Sequence, residues 1–436
     1  MKGNDMSEEI LTEEQARARI TTGQKIAACF AICFCHFALM GSINVTGALG
    51  GRLIAEFGID VAQLGGLLSI SFLTGCIFGI PFGIFADKTK VTTAIGVGMA
   101  IGAIGALMRA VVYANTHSYE LLYVSNFILG FGLAGLNANS IKFLAAWYGV
   151  KVGTPMGIYV ACAALGTITA IQSLQFIPDT VGAWYLLAGI IIIATIAWFL
   201  IARLPKGVKV QVDNLHVRDF IEVGKCPWVW VAAIAMALAM GANTIFSAQM
   251  VACMIDGKGM TELFANNMLT LNSIGMMISC VFFPGIIERA KDKQLAVILL
   301  FGIFALAICV IGWAFPDDLV GCTILGLAGF AVGGIVPPCK ALMAQLRYNV
   351  ENPGTMGAAG GIQCFVQNLG GWGIPIIIGM FAIAGPDGVV DYLPMWIATG
   401  VTFLLTTVLM FIIPRKQLVL PGTDEAKALM QGPSEQ

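Results

Sequence analysis

Residues 181–204 read VGAWYLLAGIIIIATIAWFLIARL, residues 205–226 read PKGVKVQVDNLHVRDFIEVGKC, and residues 227–241 read PWVWVAAIAMALAMG. The first stretch carries no charge before Arg203, the second is the longest polar run between apolar segments, and the third is apolar again. A helix needs about 20 apolar residues to cross a bilayer core. The first stretch is therefore one crossing, the third opens another, and the polar run joins them outside the lipid. Working outward from this joint, the same pattern gives twelve spans, near 26–53, 61–86, 91–114, 119–148, 152–177, 181–204, 227–255, 262–287, 294–315, 318–347, 356–384 and 392–413. The short alternating segments of a membrane barrel are absent from the sequence.

Composition agrees. Hydrophobic residues make up 58% of the 436, charged residues 11%, and mean hydropathy is +0.85. Water-soluble domains average about 25% charged residues, so an ordinary soluble fold is excluded. A net charge of -1 without a basic block excludes a nucleic-acid binder, and the apolar content excludes a disordered chain. The expected fold is an all-α polytopic membrane protein with twelve transmembrane helices in two six-helix halves. Its parts are an N-terminal segment 1–25, a bundle 26–204, a central loop 205–226, a bundle 227–413 and a tail 414–436. The first 25 residues hold no apolar run and do not form a cleavable signal peptide. Thr12 to Gln15 has the spacing of a capping box.

Basic residues set the orientation. With the N-terminus in the cytoplasm, 19 of the 24 Lys and Arg fall on the cytoplasmic side, Arg52 and Lys258 fall outside, and Arg109, Lys142 and Lys340 lie within spans. Both termini are then cytoplasmic, in a multi-pass protein of the cell membrane. Most of the 12 cysteines sit inside spans as small apolar fillers. Cys33-Phe34-Cys35-His36 fits no standard zinc spacing, and successive helical residues point in different directions, so no metal is expected.

The halves echo each other near a 200-residue spacing. Met40-Gly41 recurs as Met240-Gly241, Tyr148, Val150, Met156 and Gly157 recur as Tyr348, Val350, Met356 and Gly357, and Lys142 in span 4 is answered by Lys340 in span 10. Two parallel repeats favour a substrate site between the halves near mid-membrane. The loop after span 2, Gly83-Ile-Phe-Ala-Asp87-Lys88-Thr-Lys90, has a looser copy after span 8 in Gly285-Ile-Ile-Glu288-Arg289-Ala-Lys291.

On these residues the chain, over about 25–413, resembles the major facilitator superfamily. The loop after span 2 is similar to that family's Gly-x-x-x-Asp-Arg/Lys signature, with Lys90 where a Gly is usual. Lys142 to Tyr148, Met156-Gly157 and Asn368-Leu-Gly370-Gly371-Trp-Gly373-Ile-Pro375 resemble the branch of nitrate/nitrite, cyanate and oxalate/formate carriers. Two departures stand out. Asn126 occupies the position where members often carry an Arg in span 4, and span 5 lacks the Gly-Pro signature of drug exchangers. The resemblance implies a monomer whose spans 1, 4, 7 and 10 line the cavity.

All 25 acidic residues lie in tails, loops or at span ends, whereas three cations lie within spans. A buried charge costs about 2.5–3.5 kcal/mol on insertion scales, so a cation with no acid at its depth needs another partner. A bound anion is one. Lys142 and Lys340 are expected to be its ligands, on faces of small residues that include Gly135, Ala138 and Asn139, and Gly326, Gly333 and Pro337. The alternative is that both snorkel to the cytosol, a reach of about 9 Å for Lys142 at 1.5 Å per residue. Pro337-Pro338 interrupts the helix ladder beside Lys340 and suggests a bend.

Neutral candidates for the pocket are Asn44, Asn137, Asn139, Asn243, Gln363 and Gln367, with interhelical hydrogen bonding as the alternative for each. His36 is a candidate proton relay or a satisfied structural residue. Asp87, Lys88 and Gly83, with Glu288 and Arg289, are expected to fasten and release cytoplasmic helix ends. Gly75, Gly79 and Gly83 suggest close helix packing, Arg52 and Glu56 an i,i+4 pair outside, and Arg109 a snorkelling residue. No enzyme motif, Walker loop or cofactor site is present in the sequence. The expected function is secondary active transport of a small carboxylate-like anion by alternating access. A carrier of neutral solutes with snorkelling lysines and an ion channel are the rivals.

Overall fold

A computed structural model describes residues 20–148, 153–177, 179–205, 217–352, 356–384 and 390–420. The segment Thr12 to Gln15 lies outside them. Span 1 is Thr22–Ala48, started by a capping box in which Thr21 accepts from the Gln24 amide and Gln24 reciprocates. It is followed by a separate short helix, Gly50–Phe57, closed by Gly58 at φ 61. Spans 2 to 6 are Val61–Lys88, Val91–Asn115, Tyr119–Tyr148, Gly153–Ser173 and Thr180–Ile201. A surface helix, Val217–Gly224, precedes spans 7, 8 and 9 at Pro227–Lys258, Glu262–Arg289 and Gln294–Ala314.

Span 10 breaks into Asp318–Gly326, Ala328–Gly333 and Val336–Gln345. The second break falls where Pro337 and Pro338 supply no amide hydrogens. Span 11 is Met356–Gly379, span 12 is Leu393–Phe411, and the two-stranded ribbon Ile383–Ala384 with Val390–Asp391 lies between them. Among the described residues, eleven helices are long and apolar enough to cross a membrane. Span 11 has the length too, but Gln363, Gln367, Asn368 and its glycines dilute its apolarity.

The ends of span 1 define two faces of the bundle: the N face near Thr22 and the distal face near Ala48. The halves meet toward the distal face. Spans 1 and 7 cross so closely that a Cβ at Gly47 would collide with the Ser247 carbonyl. Span 2 runs against span 11 through Gly65 and Pro375, Ser69 and Trp372, Phe72 and Gly371, and Gly75 and Asn368. Gln172 of span 5 donates to Asn267 and Thr270 of span 8.

The pairing of span 2 with span 11 stops at Gly75. One and two turns nearer the N face, a Cβ on Gly79, Gly83 or Gly360 would meet nothing within 4 Å. The expectation of tight packing along Gly75, Gly79 and Gly83 is therefore corrected: span 2 leaves span 11 there, and a cleft opens toward the N face. Gly47→Ala should lower the melting temperature of the purified protein, since forcing a methyl into a packed contact costs about 1–3 kcal/mol. Gly79→Ala should leave it unchanged in the same thermal scan.

Candidate functional site

The three intramembrane cations meet different fates. Lys142 Nζ lies 2.8 Å from Asp87 Oδ1, with both side chains largely buried. The expectation that Lys142 is stranded is corrected. Asp87 ends span 2 at the depth Lys142 reaches from span 4, and a carboxylate at the end of one helix is a neighbour that reading along another does not reveal.

Lys340 has no such partner. Its ammonium makes no ion pair or hydrogen bond among the described residues, and its side chain is exposed. A lysine exposed within a span must face water or a polar cleft, because lipid would penalise its charge. The repeat explains the difference. Tyr148 and Tyr348 are 200 residues apart, so Lys142 corresponds to Leu342, and Lys340 is displaced from that register by two residues. Two residues turn a helix by about 200°. Leu342 lines a groove of about 460 Å³ together with Glu288, the counterpart of Asp87. Lys340 points the other way, within electrostatic reach of His36 on span 1 and Cys364 on span 11.

His36 is nearly buried. Its ring stacks on Tyr159 of span 5 with centroids 3.9 Å apart, and Nδ1 lies 3.0 Å from the Tyr159 carbonyl oxygen. Gln363 is buried and donates to the Cys339 and Lys340 carbonyls, which anchors the segment that carries Lys340. Gln367 and Asn137 are half-buried, and their amides have no hydrogen bond among the described residues. Gly75 touches both Leu133 and Asn368, so Asn137, one turn nearer the N face than Leu133, lies level with Cys364. Asn137 and Cys364 thus lie at one level, and Lys340 acts electrostatically on Cys364 and on His36.

Other candidates do not join them. Asn139 is buried between spans 2 and 4 and donates to the Phe82 and Gly135 carbonyls. Asn44 is bound to Thr167 Oγ1 at 2.8 Å. Asn44 stands eight residues distal to His36, about 12 Å along the helix, and Asn243 occupies the matching level of span 7 in the closed seam. Asn139 and Asn44 are thus held by neighbouring helices in this conformation, whereas Asn243 is half-buried without a hydrogen bond among the described residues.

The distal face is locked by a pair that sequence spacing assigns differently. Arg52 grips Glu262 of span 8 through both carboxylate oxygens, at 3.0 and 2.7 Å, and also reaches Thr180. The expected Arg52–Glu56 pair is not formed. Glu56 is held instead by His117 at 2.7 Å and by the Tyr113 hydroxyl. On the N face Lys88, Glu288 and Arg289 are exposed and form no ion pair among the described residues. Gly83 borders the open cleft.

Arg109 does not snorkel; it is fully buried. It donates to the Ser42 carbonyl and hydroxyl at 2.9 and 2.6 Å and to Asn126 Oδ1 at 2.9 Å, and it stacks on Trp184 at 3.9 Å. Asn126 therefore receives a guanidinium from span 3. The sequence did not single out Tyr159 against His36, Cys364 near Lys340, or Glu262 against Arg52.

A bundle of this kind, with helices that part around a polar cleft, is a membrane transporter rather than an enzyme. The family model described as Major Facilitator Superfamily matches residues 32–375, and the chain belongs to that superfamily. Among solved structures, nucleoside transporter NupG is similar with a TM-score of 0.69 and 16% identity over 89% of this chain and 98% of that one. The transporter FucP in the outward conformation gives 0.61 and 19% over 88% and 98%. A bacterial homolog of the human lysosomal transporter Spinster, inward-facing and unoccupied, gives 0.65 and 14% over 90% and 96%.

An Escherichia coli (strain K12) protein described as a probable L-galactonate transporter is 23% identical over 152 residues. That match takes in 34% of this chain and about a third of the relative's length. None of these four names a nitrate/nitrite, cyanate or oxalate/formate carrier.

Glu262→Gln should loosen the distal face. Amide hydrogen exchange should rise at residues 50–57 and at the start of span 8, with no change around Lys142. Lys142→Gln strands Asp87 in a partly buried position. It should lower the melting temperature, since an unpaired buried polar partner costs about 1–3 kcal/mol.

Proposed function

We propose that the chain is a secondary active transporter of a small organic monoanion, a hydroxylated carboxylate, working by alternating access in the cell membrane. The observation that carries this reading is Lys340: an exposed cation within span 10 that makes no ion pair or hydrogen bond among the described residues. One cation suits one carboxylate better than two. The free amides of Asn137 and Gln367 offer both donors and acceptors, which is what hydroxyl groups need. The likeness to a probable L-galactonate transporter, whose named solute is a hydroxylated monocarboxylate, supports the same class.

The excess of Lys and Arg toward the N face makes that face cytoplasmic, with both termini inside, so this conformation is open to the cytoplasm. An anion on Lys340 removes the penalty of enclosing that charge and lets the N-face ends of the halves approach. The distal seam, including the Arg52–Glu262 bridge, then parts. One chain suffices: the halves 26–204 and 227–413 rock against each other, and no cofactor is required.

The test is a thermal-shift titration of purified protein with L-galactonate, L-lactate, succinate and uridine, because a bound ligand stabilises by mass action. L-galactonate or L-lactate should stabilise more than succinate or uridine. Lys340→Gln should weaken monoanion binding about 10- to 100-fold, the worth of a hydrogen bond to a charged group. Lys142→Gln should leave the affinity in place. Equal stabilisation of wild type and Lys340→Gln, or a response to uridine alone, would replace this reading with a neutral-solute carrier.

A further inference from the structure

We propose that residues 414–420 form a strap that holds the cytoplasmic end of span 10 and thereby stabilises the conformation open to the cytoplasm. Control of the cleft then lies with the segment that follows span 12. The proposal rests on the reading of alternating access and not on the identity of the solute.

The strap begins where span 12 ends. Pro414 turns the chain, and Arg415–Gln417 make a single helical turn. That turn is closed from within: the Gln417 amide donates to the Pro414 carbonyl at 2.7 Å, and Arg415 Nη1 donates to the Leu418 carbonyl at 2.7 Å. The same guanidinium reaches Asp292 Oδ1 at 3.0 Å, in the turn Lys291–Lys293 between spans 8 and 9. Leu418 continues in extended conformation and pairs antiparallel with Leu346. The Val419 amide donates to the Gln345 carbonyl at 2.8 Å, and Arg347 Nε donates to the Lys416 carbonyl at 2.6 Å. Leu418 and Leu420 are fully buried, so the strap is anchored by apolar side chains as well as by hydrogen bonds.

Span 10 needs this attachment because of how its last segment is built. Val336–Gln345 is separated from Ala328–Gly333 by the break at Gly334 and Ile335, and Pro337 and Pro338 offer no amide to the turn before them. The hydrogen-bond ladder is interrupted there, so it does not carry the orientation of one segment into the next. At the other end, the last carbonyls of a helix lack partners within it. Gln345 is the final residue of the segment, and the strap supplies the donor for its carbonyl. Leu346 is extended, and the chain re-enters a helix at Arg347–Glu351. The strap therefore grips the joint between two short helices.

Behind the segment the packing is open. Pro337, Pro338, Leu342 and Gln345 line the groove of about 460 Å³, and Leu420 of the strap lines it with them. Close packing, the usual restraint on a helix face inside a protein, is incomplete on this side. The segment is held at points instead. Gln363 of span 11 donates to the Cys339 and Lys340 carbonyls at 3.4 and 3.3 Å, and the strap holds the end. All these contacts lie within the C-terminal half, so the strap does not bolt the halves together. It acts through the shape of one half. With the strap attached, the segment rests against its own half and Lys340 stays exposed. With the strap released, the segment pivots at the break and the cytoplasmic mouth narrows.

Hydrogen exchange on the purified, ligand-free full chain tests this, because it reads both ends of the molecule without a solute. Val419→Pro removes the amide that donates to Gln345, and Leu418→Asp puts a charge in a buried apolar position. In both variants exchange should rise at residues 339–351. It should also rise on the distal face, at residues 50–57 and at the start of span 8, by about 5-fold or more, the lower end of the usual coupling between sites. A local brace would not move the distal signal. Lys416→Ala removes an exposed side chain and leaves the carbonyl that Arg347 uses, so it should match wild type at both ends.

Melting temperatures and unchanged exchange in span 3 show which variants are folded. If Leu418→Asp or Val419→Pro unfolds, Asp292→Asn, which weakens the exposed tie to Arg415, takes its place. A rise confined to residues 339–351 and 415–420 overturns the proposal. Glu262→Gln separates that result from a failure of alternating access. Loosening of the distal face should close the cytoplasmic end and lower exchange at residues 339–351. If Glu262→Gln does this while the strap variants leave the distal face unchanged, the strap is a local brace and alternating access stands. If no variant at either end changes the other end, both readings fall.

Discussion

Charge inside a low-dielectric bundle must be answered, and the protein answers it in three ways. Arg109 is surrounded by neutral oxygens from Ser42 and Asn126 and by the face of Trp184. Lys142 is neutralised by Asp87. Lys340 is answered by nothing the described chain supplies. The first two solutions rigidify the N-terminal half. The third leaves an attraction for something from outside, and the functional reading depends on it.

The geometry that strands Lys340 has a local cause. Span 4 runs unbroken from Tyr119 to Tyr148, whereas its counterpart is cut into three pieces, with Pro337-Pro338 at the second break. A slip of two residues relative to the repeat turns the lysine away from Glu288. Leu342 takes the place that the pairing lysine holds in the other half, beside Glu288 in the groove. Two halves that echo each other at a few positions thus yield one structural ion pair and one free cation among the described residues.

The seam between the halves follows the same economy. Toward the distal face, small residues let backbones approach, as at Gly47 against Ser247, and Arg52 with Glu262 adds a bidentate clamp. Beyond Gly75 span 2 leaves its partner. The halves form a closed end and an open end, and the exposed Lys340 belongs to the open one. Rigid halves hinged at such a seam can exchange which end is closed without repacking their cores.

Hydropathy and length by themselves determined the twelve spans and their order, because burying a peptide helix in lipid leaves little freedom over about 20 apolar residues. The repeat was legible for the same reason, and so was the presence of cations in apolar runs. Partnership across helices was not. Lys142 finding Asp87, Arg52 choosing Glu262 over Glu56 four residues away, and Arg109 reaching Asn126 are set by which faces of distant helices meet. His36 and Lys340 were each visible as residues, but 304 positions separate them along the chain. A sequence fixes distance along a helix; only packing fixes azimuth, and a turn of about 200° separates a lysine that braces the bundle from one that faces its cleft.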